Sequence, residues 1–416
     1  MLPVAEAAAR VTAGILPLDP ERVALLDAVG RVLAEDAIAG YTMPPWTNSA
    51  MDGYAVRAAD IAGASANAPV LLRVLETVAA GAFPSRPVGP GEATRIMTGA
   101  PVPEGADTVV RVEDTDDGVE SVAIRDTRDS GKNLRPRGED FPAGATVVPR
   151  GTPIAPAQVG VLASLGLGSV SVHRQPIVAI LGSGDELVDL DRFHDVLAGR
   201  KIVSSNSYTL SALVRANGGV PRLLGNSPDD PEALRALLAR ARGADLVVTS
   251  AGASVGAFDH TRAVLASSGA TLDFWKVKMR PGAPIGFGTL GGTPWIALPG
   301  NPVSAMVTFE LFVRPVIRRM LGHARVHRRP VPVLLEEPVA IAARLTHFLR
   351  AIVSVRPDGM LGARLTGPQG SGILTSMSRA NALLIIPEEP SHVAAGSRVN
   401  AFLTSEDASL SAEFLL

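Results

Sequence analysis

The chain has 416 residues, too many for one ordinary domain and enough for about three or four. Apolar residues make up 46% of it, so every domain can bury a core, yet no window approaches the ~20 apolar residues of a membrane span. The formal charge of −2, with no basic stretch interleaved with aromatics, argues against a nucleic-acid partner. The absence of cysteine excludes disulfides, thiolate nucleophiles, zinc ribbons and iron–sulfur clusters. The seven histidines form no HExxH or HxH pattern, and His323 and His327 read as part of a basic helix exit. Any metal handled here is therefore held by carboxylates, hence hard, or has its soft ligands supplied by the substrate.

The N-terminal stretch MLPVAEAAARVTAGILP lacks a basic segment, a long apolar run and a cleavage site. It reads as an amphipathic helix, and the expected location is the cytoplasm, with no membrane association. Residues 20–36 alternate apolar and polar positions at mixed period and are expected to join a helix to a strand. PPWTNSAMDGYAV (44–56) follows, with two prolines that stop regular structure and an Asp52-Gly53 turn. Residues 57–140, rich in Gly, Pro, Val and Thr, carry short apolar runs such as VLLRVLETV and DTVVRVED, a β-rich and helix-poor stretch. Residues 141–170 predict a strand, a turn and an apolar helix, so the β-rich stretch reads as an insertion within a mostly helical scaffold.

From residue 176 the runs PIVAIL, ADLVVTS and PWIAL are continuously apolar, as in strands buried on both faces. Helices such as SYTLSALVRAN and DPEALRALLARAR separate them, which predicts a parallel sheet covered on both sides. After the long helix PVSAMVTFELFVRPVIRRML, short strands return (PVLLEEPVAI, HFLRAIVSV, ANALLIIP), and 326–416 is expected to form a small β-barrel or sandwich. The expected division is a discontinuous scaffold (1–43 and 141–175), an insertion (44–140), an α/β domain (176–325) and a β domain (326–416).

Several stretches can carry chemistry. ILGSGDELV (180–188) is a glycine loop after a buried strand, but Leu187 stands where a dinucleotide fingerprint needs glycine. Its Asp185 and Glu186 lie where α/β sheets place ligands, or else start a helix. VVTSAGASVGAFDHT (247–261) delivers small residues into a helix start, a backbone cradle for an anion without the lysine of a Walker loop. Asp259 beside it either favours the helix dipole or holds Mg²⁺. Lys276, Lys278 and Arg280 stand at period two on one predicted strand, either a solvated basic face or a group led by the RPGAP turn to a cleft edge. Asn301 and Pro302 in ALPGNPVSA form an N-cap and first turn. Arg135, Arg137, Glu139 and Asp140 are readable as surface ion pairs. Arg350 lies on a strand, and GPQGSGIL (367–374) is a loop exposing Ser371.

Six stretches, NSAMDGYAV, MTGAPVPEGADTVV (97–110), RGEDF (137–141), GSGDEL, SVGAFDHT and LPGNPVSA, occur in order along nearly the whole chain. Together they resemble the molybdopterin molybdenumtransferase family, the MoeA-type enzymes and the E domain of gephyrin. The resemblance implies a multidomain fold: a parallel α/β sandwich that binds molybdopterin, a helical scaffold carrying the β-rich insertion, and a C-terminal barrel-like β domain. It implies an elongated homodimer that inserts molybdate into adenylylated molybdopterin, with Mg²⁺-assisted release of AMP. A molybdopterin adenylyltransferase and molybdoenzyme apoproteins are the implied partners.

Residue by residue, the resemblance implies that Asp52 reaches into the partner's site with Thr98 and Asp140 beside it. Glu186 and Asp259 then line the Mg²⁺–pyrophosphate site, and Lys276, Arg280, Arg350 and Ser371 bind oxyanion and phosphate oxygens. Gly182, Ser183, Gly184, Asp229, Ser250, Gly252, Ser254, Gly256, Pro299, Asn301 and Pro302 are the implied cofactor-binding set. Arg280 stands where the family often has lysine, and Ala251 and Ala253 where it has glycine. A tungstate-inserting paralogue and a non-catalytic carrier of the same fold are the competing readings.

Overall fold

The computed structural model describes residues 1–250, 264, 267–341 and 344–405. The chain forms two compact units: residues 1–34, 151–154 and 169–416, and residues 35–150 and 155–168. The first opens with helix α1 (Val4–Thr12), whose Ala7 and Val11 are buried. Strand β1 (Pro20–Ala24) comes next and runs directly into a 3₁₀ turn, Leu25–Ala28. The expected helix-to-strand passage is thus reversed, because Pro20–Ala24 pairs antiparallel with residues 169–173.

The second unit is built on a five-stranded sheet of β2 (Gly53–Val56), β3 (Val70–Val78), β4 (Glu92–Ile96), β5 (Thr108–Arg111) and β6 (Ser121–Ile124), in the order β5-β2-β4-β3-β6. Tyr54, Val56, Leu72, Val110, Val122 and Ile124 form its core. Helix α2 (Pro156–Ser164) belongs to this unit too. Beyond the last strand, Asp129 is 2% exposed and takes the Arg111 Nε and Nη2 at 2.9 Å each.

The first unit resumes with β7 (Ser169–His173), the partner of β1, and then an α/β sheet. Its elements are β8 (Ile177–Ser183), α3 (Ser205–Ala216), β9 (Val220–Ser227), α4 (Pro231–Ala239), β10 (Leu246–Ser250), β11 (Ala270–Trp275), β12 (Met279–Arg280), β13 (Gly286–Leu290) and β14 (Thr293–Leu298). Sheet order is β9-β8-β10-β14-β13-β11. The first four strands are parallel, and β13 and β11 extend the sheet antiparallel, so it is mixed at one edge. The continuous apolar runs arise because both faces are covered. Val178, Ile180, Leu246, Val248, Ile296 and Leu298 face one core with α1 and α3, and Ala179, Leu181, Val247 and Ala297 face another with α4. A long helix follows as α5 (Pro302–Thr308), a π turn (Phe309–Val313) and α6 (Arg314–Met320).

The C-terminal strands are β15 (Val331–Leu335), β16 (Thr346–Val355), β17 (Leu361–Leu365), β18 (Ala382–Ile386) and β19 (Arg398–Leu403). They close into a barrel, β16-β17-β15-β19-β18 and back to β16. Its interior is aliphatic, with Leu335, Val353, Leu384 and Ala401 among the buried residues. The short β12 lies along β16, in parallel.

The fork of hydrogen bonds from Arg111 holds Asp129 at a pKa of about 2, below its ordinary 3.8. A depressed carboxylate stabilises the fold above its unfolded pKa, and that contribution is lost as pH falls through the folded value. At neutral pH, Asp129→Asn is expected to cost roughly 2 kcal/mol of stability. In calorimetry, the gap in melting temperature between variant and wild type should close between about pH 4 and pH 2. A gap unchanged over that range would contradict the assigned ion pair.

Candidate active site

The carboxyl ends of the parallel strands open onto a cavity of about 700 Å³. The glycine loop after β8 forms one wall. Gly182 has no room for a side chain, since a Cβ there would come within 2.2 Å of Asn226 Oδ1. That oxygen accepts from Ser204 Oγ at 2.7 Å, which pins the end of β9 to the entry of α3. Gly184 takes φ +145°, and a Cβ on it would strike the Glu186 carboxylate at 2.5 Å. Glu186 therefore folds back over a glycine and lines the cavity with Asp229. Asp185 serves as a fastener: its carboxylate accepts the Asp229 N–H at 3.0 Å, and its carbonyl accepts from Lys201 Nζ.

The opposite wall joins β10 to the β14–α5 turn. Asn206 donates from one Nδ2 to Ser250 Oγ and to the Gly300 carbonyl, both at 2.7 Å. Asn301 does occupy the N-cap position with Pro302 following, but its side chain makes no capping bond. The early N–H of Val303 is instead taken by the Ser371 carbonyl at 3.1 Å, leaving the Asn301 side chain to line the cavity beside Pro299. Ser204 and Asn206 are absent from the expectations above, where SYTLSALVRAN reads only as a helix. The signal was the polar run 204–206 placed directly before it.

A second cavity, of about 500 Å³, lies between β12, β16 and the loop after β17. It gathers Arg280, Arg350 and Ser371, three residues far apart in sequence, and adds His347 and Gln369. Two turns serve both cavities: residues 280–284 contribute Arg280 here and Pro284 to the first, and residues 369–372 contribute Ser371 here and Gly372 to the first. Arg350 is fully buried. Its Nε donates to Ser376 Oγ at 3.0 Å, Nη1 to the Gln369 carbonyl at 3.1 Å, and Nη2 to the Gly370 carbonyl at 2.9 Å. Burial pulls its pKa below the ordinary arginine value. Gln369 closes the arrangement, accepting the Arg350 N–H at 2.9 Å and donating to its carbonyl at 3.1 Å.

Lys276 does not share a continuous strand with Arg280, contrary to the period-two reading. The ladder of β11 ends at Trp275, Lys276 takes φ +78°, Val277 makes a single bridge to Leu2, and a strand resumes at Met279. Exposure still alternates, with Val277 and Met279 buried and the three basic residues outward. Arg280 lines the second cavity and Lys276 lines neither. Asp259, Gly252, Ser254 and Gly256 lie outside the described residues, as do Ala251 and Ala253.

In the other unit, the exposed Asp52 Oδ1 accepts the Thr98 N–H and Oγ1–H, both at 2.7 Å. The backbone bond, then the hydroxyl, lower the Asp52 pKa, so it stays ionised with its second oxygen unused by Thr98. The proline loop before it is tied down, since the Gly138 N–H bonds the Pro44 carbonyl at 3.0 Å and the Asp140 N–H bonds that of Met43 at 3.1 Å. Asp140 is thereby held at the base of the loop, exposed, and not bonded to Asp52. Among the described residues no three carboxylates or histidines form a ready-made metal cage, and no helix is long and apolar enough to cross a membrane.

Comparison with known proteins agrees with this architecture over its length. Residues 2–166 match the MoeA N-terminal region (domain I and II), 179–319 a probable molybdopterin binding domain, and 332–403 the MoeA C-terminal region (domain IV). The chain is 40% identical over 390 residues to molybdopterin molybdenumtransferase 2 of Mycobacterium tuberculosis, covering 92% of this chain and 95% of that one. It is 35% identical over 411 residues to the Bacillus subtilis molybdopterin molybdenumtransferase, covering 98% and 95%. A crystal structure of the molybdopterin biosynthesis moeA protein from Pyrococcus horikoshii superposes with a TM-score of 0.80 at 30% identity, covering 97% of this chain and all of that one. With three domain matches in order and full-length relatives above 30% identity, the chain belongs to the MoeA family of molybdopterin molybdenumtransferases.

Proposed function

We propose that the chain inserts molybdate into adenylylated molybdopterin and releases AMP, in the cytoplasm and as a homodimer. The observation that carries this reading is the pair of adjoining cavities, one with carboxylates beside a glycine loop and one lined by Arg280 and Arg350 with no carboxylate among the described residues. The first suits the pterin and pyrophosphate, with Gly182, Ser183 and Gly184 approaching the substrate closely and Asp229 beside the pterin. The second suits the oxyanion. Molybdenum is held in the product by dithiolene sulfurs of the substrate, which is consistent with a chain that has no cysteine.

The donors fit Mg²⁺, a hard ion that takes one or two carboxylates plus substrate phosphate oxygens. Glu186 is the described donor, with Asp259 its proposed companion. When bound, the ion would neutralise charge on the pyrophosphate. The chain's own residues do the rest. Arg280 and Ser371 hold the oxyanion, with Lys276 outside the cavity as a further cation for phosphate oxygens. Arg350 adds its charge from beneath and shapes the loop that carries Ser371. Asp52, kept ionised by Thr98, is proposed to reach the partner subunit's site with Asp140 at its base. A molybdopterin adenylyltransferase would supply the substrate and molybdoenzyme apoproteins would take the product.

Hydrolysis before the oxyanion arrives would destroy an activated cofactor, and the two turns shared by the cavities give the oxyanion a route to positioning both. With adenylylated molybdopterin and Mg²⁺, AMP release is expected to be slow and to rise at least about tenfold on adding molybdate. Equal rates with and without oxyanion would leave a simple pyrophosphatase. The shared site has its own test. Asp52→Ala and Glu186→Ala subunits, each inactive, should regain activity when mixed, because a mixed dimer holds one intact site. Absence of recovery despite demonstrated subunit exchange would contradict it.

A further inference from the structure

Asn206 lies in the first turn of α3, at the wall of the first cavity, and the two ends of its amide are used unequally. The carbonyl of Gly300 can only accept, so the atom 2.7 Å from it is the amide nitrogen. Ser250 Oγ, also at 2.7 Å, takes the second proton. Both donors are thus committed to the wall, one to the end of β10 and one to the turn before α5. Turning the amide over would set Oδ1 against the Gly300 carbonyl, acceptor against acceptor, so its orientation is locked. Oδ1 takes no hydrogen bond from a described residue and is not buried.

A locked, uncharged acceptor differs from the other polar side chains of this lining. Glu186 and Asp229 are carboxylates, which suit a hard cation or several donors at once. Serine hydroxyls rotate to donate or to accept. Asn301 makes no capping bond, so its amide can present either its oxygen or its nitrogen. Asn206 Oδ1 can only accept. Pyrophosphate oxygens are acceptors too, and bringing the two together would desolvate both without a proton between them. Of the groups proposed for this cavity, the pterin is the one that carries N–H donors.

We propose that Asn206 is a specificity-determining residue, whose Oδ1 accepts a hydrogen bond from an N–H of the pterin and keeps the pyrophosphate off this wall. It thereby sets which way round the substrate lies, with the pterin against Asn206 and the pyrophosphate toward Glu186. This role rests on the reading of the first cavity as the site of pterin and pyrophosphate, and it adds the group that tells the two apart.

Titration calorimetry of the full chain with two probes, hydroxymethylpterin and Mg²⁺–pyrophosphate, tests it. The ratio of the two affinities is the readout, because loss of the tie between Ser250 and Gly300 would weaken both probes alike. Asn206→Ala, at matched melting temperature, should lower the pterin-to-pyrophosphate ratio about tenfold. Asn206→Asp keeps an acceptor oxygen in nearly the same volume and adds a negative charge, so it should raise the ratio by weakening pyrophosphate. A ratio unchanged by alanine, or lowered by both substitutions, would overturn the role of Asn206. If the alanine variant fails to fold, the aspartate variant decides alone: a raised ratio supports the role and any other result overturns it. Failure of the cavity reading looks different, since wild type then fails to bind one or both probes.

Discussion

A buried guanidinium with no carboxylate partner among the described residues is neutralised by dipoles, and Arg350 finds most of them in one loop. The carbonyls of Gln369 and Gly370, with the Ser376 hydroxyl, accept its protons, and the Gln369 amide bonds back to the Arg350 backbone. A full countercharge would have been simpler electrostatically, but it would have cancelled the positive potential of the cavity alongside. Satisfying the fork with backbone oxygens keeps that potential and fixes the loop at once. The same loop reaches the start of α5 through Ser371 and lends Gly372 to the neighbouring cavity. One buried arginine thus sets the wall between the two spaces in which the proposed chemistry runs.

The other walls follow from the sheet. Parallel strands end together, so β8, β10 and β14 release their chains at one edge, and small residues there leave space for a ligand. Gly182 and Gly184 make the space, Asp185 and Asn206 tie the separate turns to one another, and Glu186 is left to face inward. Arg280 departs from the lysine common in the family. A planar fork in place of a point donor suits a tetrahedral oxyanion held from one side, as proposed for this cavity.

Much of this was legible in the sequence where burial leaves a periodic trace. PIVAIL, ADLVVTS and PWIAL gave themselves away because both faces of their sheet are covered, and the barrel strands likewise. Glu186 was legible as an acid at a strand end, and the pairing of Asp52 with Thr98 followed from the family resemblance. What escaped were arrangements decided by tertiary contacts. The backbone at Lys276 turns left-handed, which breaks the strand that alternation suggested. The Asn301 cap is redundant because a carbonyl from a distant loop reaches Val303 first. Asn206 bridges two strand ends that no local pattern connects.

Arg350 is proposed to act through the geometry of its fork and not only through its charge. Arg350→Lys separates the two, since lysine keeps the charge but cannot hold several carbonyls in one plane. The most direct measurement is the molybdate concentration needed for half-maximal AMP release, compared between wild type and this variant at matched melting temperature. An increase of about tenfold or more is expected for lysine, with adenylate binding little changed. A lysine variant indistinguishable from wild type would show that charge alone suffices, and would contradict the role of the fork.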